Sequence, residues 1–132
     1  RLFAADARRR AIERRLVREA DAYVGEPNER LVQAVLFTPP ERRSPAHIAA
    51  VVEELRQELA RWESLIAGDH LAGTLSAADF TLFPLLALMQ RIGQRNPALL
   101  PGDLMGPVLA AWFGRMAALP VVQRTWPPHW CT

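Results

Sequence analysis

Apolar residues recur at spacings of three and four along most of this chain, the period at which a helix keeps one face toward a core. Ile12, Leu16, Ala20, Tyr23 and Val24 make the first such stripe. Asp6 precedes it, with a carboxylate that can accept from the unpaired amides of a first turn. The pattern predicts a helix from Asp6 to about Val24. Gly25-Glu26-Pro27 interrupts it, and Leu31, Val35 and Leu36 resume it to about Phe37. This stretch reads as one long helix with a break, or as two helices end to end.

Thr38 to Pro45 is the clearest loop, because the pair Pro39-Pro40 lacks amides and restricts the residue before each ring. Ser44 is placed to cap the next helix, with Pro45 at its first position, where a missing amide costs nothing. Ile48, Val51, Val52, Leu55, Leu59, Trp62, Leu65 and Ile66 give that helix the cleanest amphipathic pattern in the chain, ending near Gly68. Ser76 opens another helix. Phe80, Leu82, Phe83, Leu85, Leu86, Leu88, Met89 and Ile92 cover nearly its whole circumference, which suits a central element. Pro84 should remove one of its ladder bonds. A last main helix opens at Gly106-Pro107 with Val108, Leu109, Trp112, Met116 and Leu119 inward, and Pro120 breaks it. The expected fold is all-α, a bundle of about five to six helices in one domain over residues 1–132.

Composition agrees with the periodicity. Ala, Leu, Arg and Glu supply 64 of the 132 residues, while Ile (4) and Thr (5) are scarce. Half the chain is hydrophobic and 23% is charged, as in a folded domain. The longest apolar stretch, Phe80 to Met89, is broken by Thr81 and Pro84, and no run nears the ~20 residues of a membrane helix. The N-terminus is Arg-rich, unlike a secretory signal. A cytoplasmic location away from any membrane is the resulting expectation. A first residue of Arg rather than Met suggests a piece of a longer protein.

Several chemistries drop out by residue type. All sixteen basic residues are arginine, so neither a Schiff-base lysine nor a P-loop lysine is available in this chain. One cysteine, Cys131, rules out an internal disulfide and a Cys-based zinc site. His47, His70 and His129 lie too far apart in sequence for a His-x-x-x-His pair, and no metal is expected. Arg8, Arg9, Arg10, Arg14, Arg15 and Arg18 crowd the first helix. Residues 1–30 nevertheless hold eight arginines against six acids, too balanced for a nucleic-acid footprint. A solvated helix face with pairs such as Arg15 and Glu19 is the simpler reading, and a face toward another domain or subunit is the alternative.

Leu75-Ser76-Ala77-Ala78-Asp79-Phe80 is the most specific motif. The Ser76 hydroxyl can accept from the Asp79 amide while the Asp79 carboxylate reaches back to the Ser76 amide, a capping box with Asp in place of Glu. Leu75 and Phe80 stand where a hydrophobic staple would form. Ser-x-x-Asp could also suggest a nucleophile with an acid. No adjoining histidine and no Gly-x-Ser-x-Gly elbow supports that chemistry.

The segment Leu71-Ala72-Gly73-Thr74-Leu75-Ser76-Ala77-Ala78-Asp79-Phe80-Thr81-Leu82-Phe83-Pro84 resembles the capping-box region in the C-terminal helical domain of glutathione transferases. Leu2-Phe3 through Arg9-Arg10-Ala11-Ile12 is similar to the family's entry into that domain. Leu109-Ala110-Ala111-Trp112-Phe113 through Arg115-Met116, then Pro120-Val121-Val122-Gln123-Arg124, is similar to its closing helix. The resemblance spans essentially the whole chain, in order.

It implies a missing partner domain of ~80 residues with a thioredoxin-like fold, the usual holder of glutathione and of the thiol-activating residue. No catalytic residue is then expected here. The chain would instead line an apolar pocket for a hydrophobic electrophile and contribute to a homodimer. Tyr23 is the candidate substrate contact, since this end of the family's helix tends to open onto that pocket, although a core position is the commoner fate of such an aromatic. Trp126, His129, Trp130 and Cys131 could fold over the pocket or form a loose tail. Helical domains of this family also occur as non-catalytic protein-interaction modules, which is the competing reading.

Overall fold

The computed structural model describes residues 1–130, in which the chain is mostly helical from Ala7 to Trp130, with its two long connections at 66–76 and 96–106. Six α-helices follow in order: α1 (Ala7–Glu19), α2 (Gly25–Val35), α3 (Pro45–Leu65), α4 (Ala77–Arg95), α5 (Pro107–Ala117) and α6 (Pro120–Thr125). No strand forms among the described residues. Two isolated antiparallel bridges, His70 with Gly73 and Ala72 with Thr74, tighten the connection into α4.

The first two helices form one column. Between them Ala20–Val24 makes a π turn, closed by the Gly25 amide on the Ala20 carbonyl. Pro27 has no amide to offer the Tyr23 carbonyl four residues back, and its ring would press on that group. A wider turn just before the proline relieves both problems without ending the helix. The break read at Gly25-Glu26-Pro27 is therefore a local widening.

Helix starts follow the sequence signals. Asp6 accepts from the Arg9 amide at 2.9 Å to open α1. Ser44 accepts from the His47 amide at 3.2 Å with Pro45 behind it. At the other end α3 stops two residues short of Gly68, where Ile66 turns extended at ψ 112 and buries its side chain. For α5 the cap comes from far away: Glu63 of α3 accepts from the Val108 and Leu109 amides at 2.8 and 2.7 Å. A carboxylate there also faces the positive end of the helix dipole.

The core is continuous: α4 packs on α1, the π turn, α2 and α5, and α3 closes it by packing on α2, the π turn and α5. Leu82, Leu86, Met89 and Ile92 of α4 are buried with Leu16, Ala20 and Val24 on one side and with Leu109, Trp112 and Met116 of α5 on the other. Pro84 is the exception on α4 and faces out, where its missing amide leaves the packed side intact. On α5 the inward set differs by one position from the sequence reading: Val108 is exposed and Phe113 is buried. No helix among the described residues is long and apolar enough to cross a membrane.

Candidate functional site

Three places gather functional-looking groups: the start of α4, a groove along its outer side, and a cleft beside Tyr23. The first is the most completely built. Asp79 is fully buried, yet its carboxylate lacks no partner. Oδ2 accepts from the Ser76 amide at 2.9 Å, and Oδ1 accepts from the Leu71 amide at 3.1 Å and from Trp112 Nε1 at 2.8 Å. Ser76 Oγ accepts from the Ala78 amide at 3.2 Å and completes the reciprocal capping box with the Asp79 amide. A buried carboxylate is tolerated only with such saturation, here by neutral donors at the positive end of a helix.

The local sequence gives the box but not its tertiary members. Trp112 comes from α5, and His70 Nδ1 is buried 3.7 Å from Asp79 Oδ1 with no hydrogen-bond partner among the described residues. Neither shows a spacing signal, since 33 residues separate Trp112 from Asp79. The staple positions part company: Phe80 packs against the core while Leu75 stays 38% exposed. No group of three or more ligating side chains forms among the described residues.

The groove has a volume of about 240 Å³ and is almost wholly apolar. Phe80, Phe83, Pro84 and Ala87 of α4 form its floor, and Trp126 and Trp130 close it from the other side. Trp126 stands 6.2 Å from the Phe83 ring and 5.5 Å edge-on to Trp130. These are spacings at which aromatic quadrupoles attract. Arg91 fastens the segment by donating to the His129 and Trp130 carbonyls, both at 3.1 Å. The reading of a loose tail is thus corrected: residues 126–130 fold back on α4 because they carry two indoles and find an arginine to hold their carbonyls. Cys131 lies outside the described residues.

Tyr23 belongs to neither place. It is 54% exposed, so the core reading fails. The π turn rotates it off the buried stripe and toward α3. Arg61 lies 5.4 Å over its ring, within cation–π range. Hydrogen bonding to Glu58 holds the Arg61 guanidinium above its ordinary pKa. The surrounding cleft of about 400 Å³ is lined by Glu26, Arg30, Glu54 and Glu58 and shares no residue with the aromatic groove. His47 lies at the start of α3, exposed and away from the buried carboxylates.

A capped, fully buried Asp at the start of a central helix, inside an all-α bundle, defines the class of helical domain to which the chain is compared. The family described as glutathione S-transferase, C-terminal domain, matches residues 45–115, more than half of the chain, and the chain belongs to that family. The matched span runs from the start of α3 through α4 to Arg115 of α5 and so contains the whole Asp79 cluster. No curated protein matches the chain.

Proposed function

We propose that this chain is the electrophile-selecting half of a glutathione transferase. A thioredoxin-like domain of about 80 residues would bind glutathione and activate its thiol, and the helical half would present an apolar wall to the second substrate. The observation that carries this is the aromatic groove between α4 and the folded-back Trp126–Trp130 segment. It combines apolar rings with few polar groups, which suits a hydrophobic electrophile. The Tyr23 cleft is charged and suits such a ligand less well, so we assign substrate contact to the groove before Tyr23.

In the reaction a glutathione thiolate would form a C–S bond to the electrophilic carbon; in a substitution the leaving group departs with its bonding pair, and in an addition the resulting carbanion takes a proton from water. This chain's residues hold the electrophile and exclude water from it. The assembly would be a homodimer in the cytoplasm.

The test uses the parent protein with its upstream segment. Saturable glutathione binding by calorimetry, and turnover of an aromatic electrophile whose KM rises in Trp126→Ala with glutathione affinity unchanged, is the expected result. A folded parent protein that binds no glutathione would instead favour the non-catalytic interaction module.

A further inference from the structure

Three of the arginines crowded on α1 have partners that their spacing does not reveal. Residues 1–6 belong to no helix, yet residues 2–5 are tied at almost every peptide group. The Ala4 amide donates to Glu13 Oε2 at 2.8 Å. Arg10 donates to the Ala5 carbonyl at 3.0 Å and to the Ala4 carbonyl at 3.4 Å. Arg14 lies 5.7 Å over the Phe3 ring, within cation–π range. The Leu2 carbonyl accepts from the amide of Ala77, the first residue of α4, at 2.8 Å. Arg9 adds a cross-tie from α1 to the Thr74 hydroxyl, just ahead of α4, at 2.8 Å.

Glu13 is the unusual member of this set. It is 1% exposed and lies on the buried side of α1 with Leu16 and Ala20. An apolar side chain there would pack without the desolvation cost of a carboxylate. Terminal segments fray unless they are tied down, and apolar contacts alone let a short segment slide. A buried acceptor instead fixes the Ala4 amide in one direction. The bond from Ala77 carries the same geometry to α4, three residues before Phe80 in the floor of the aromatic groove. Residues 2–5 are thus braced against α1 and α4 together.

We propose that residues 2–5 are a rigid mount for the upstream domain, and that Glu13 is a positioning residue for the transferase reaction. This inference rests on the two-domain parent of the proposed function. An upstream domain joins the helical half through this segment. The direction of Leu2–Ala5 then sets where a bound thiolate stands relative to an electrophile in the groove. Glu13 touches neither substrate. Misplacing reacting groups by about 1 Å can cost on the order of a hundredfold in rate. The mount therefore acts on kcat, while each substrate keeps its own binding contacts.

The experiment uses the parent protein and has two readouts. One is steady-state kinetics. The other is the distance distribution, by pulsed electron paramagnetic resonance, between a spin label on the upstream domain and one at Ala60→Cys on the exposed side of α3, with Cys131 replaced by Ser. In Glu13→Ala kcat should fall at least about tenfold, while the KM values for glutathione and the electrophile change less than about twofold. The distance distribution should broaden. Glu13→Gln, which keeps an acceptor oxygen for the Ala4 amide, should recover most of both. Arg10→Ala removes two carbonyl contacts without emptying a buried site, and should shift both readouts the same way by less. It keeps the test decisive should Glu13→Ala fail to fold. An unchanged kcat, a raised KM at constant kcat, a fall in kcat with the wild-type distance distribution, or a Gln variant as damaged as the Ala variant would each overturn the proposal. A parent protein that turns over no electrophile fails the transferase reading and with it the catalytic role of Glu13. The mount is then decided by the distances, and a wild-type distribution in both Glu13→Ala and Arg10→Ala overturns it.

Discussion

Trp112 Nε1 donates to Asp79 Oδ1 at 2.8 Å across 33 residues of sequence, and both side chains are fully buried. A carboxylate that begins as a local helix cap thereby becomes the joint between α4 and α5. The same oxygen accepts from the Leu71 amide, so the loop preceding α4 is tied to the joint as well.

Removing that carboxylate should cost more than an ordinary cap. Asp79→Ala strands the Leu71 and Ser76 amides and the Trp112 indole in a dry interior, and about 3 kcal/mol or more should be lost. Asp79→Asn should be nearly as damaging, because its amide group turns a donor toward donors. Thermal unfolding of both variants measures this. An Asn variant that melts with the wild type would show that the charge and second acceptor oxygen are dispensable.

Glu63 and Gly106 make a second coupled pair. A Cβ on Gly106 would lie 2.5 Å from the Glu63 carboxyl carbon, so a side chain there must displace the cap of α5. Glu63→Ala should destabilise by about 1–2 kcal/mol through the lost cap. Gly106→Ala should destabilise the wild type but cost much less once Glu63 is Ala. The coupling energy from the four denaturation curves reads this directly, and additive effects would contradict it.

Gly73 stands at φ +90 with open space around the position of a Cβ. Gly73→Ala therefore meets no clash, and its cost is backbone strain alone, about 1–2 kcal/mol. Denaturant unfolding should show a lower midpoint with an unchanged slope.

The 126–130 segment should loosen when Arg91 is lost. In Arg91→Ala the donors to the carbonyls of 129 and 130 disappear, while the two indoles keep their ring contacts and Trp130 keeps its amide bond to the Pro127 carbonyl. Hydrogen exchange in 126–130 should accelerate while α4 core amides stay protected. Equal protection in variant and wild type would show that ring packing suffices to hold the segment.

Much of the architecture is legible in the chain because it depends on local rules. Asp6, Ser44 and Ser76 cap their helices through amides two or three residues away, and Pro45 and Pro107 sit at first positions where no amide is needed. The three- and four-residue periodicity of α3 and α4 selects the face that is buried. Capping-box chemistry places Asp79 and Ser76 together before any fold is known.

What lies beyond the chain as a string is whatever depends on the angle between helices. Pro27 marks a break in the first helix, but the three- and four-residue periodicity cannot tell that the break is a π turn, which carries Tyr23 out of the stripe in which its spacing places it inward. Trp112 and His70 reach Asp79, and Glu63 reaches α5, only because helices distant in sequence cross there. The groove under Trp126 and Trp130 likewise needs α4 and the last residues side by side. Which segments are helices, where they start and which faces seek the core can be read from the chain, because hydrogen bonds and burial patterns act over a few residues. Tertiary structure alone decided which buried groups meet and which surfaces stay open, because those follow from packing between helices that share no local signal.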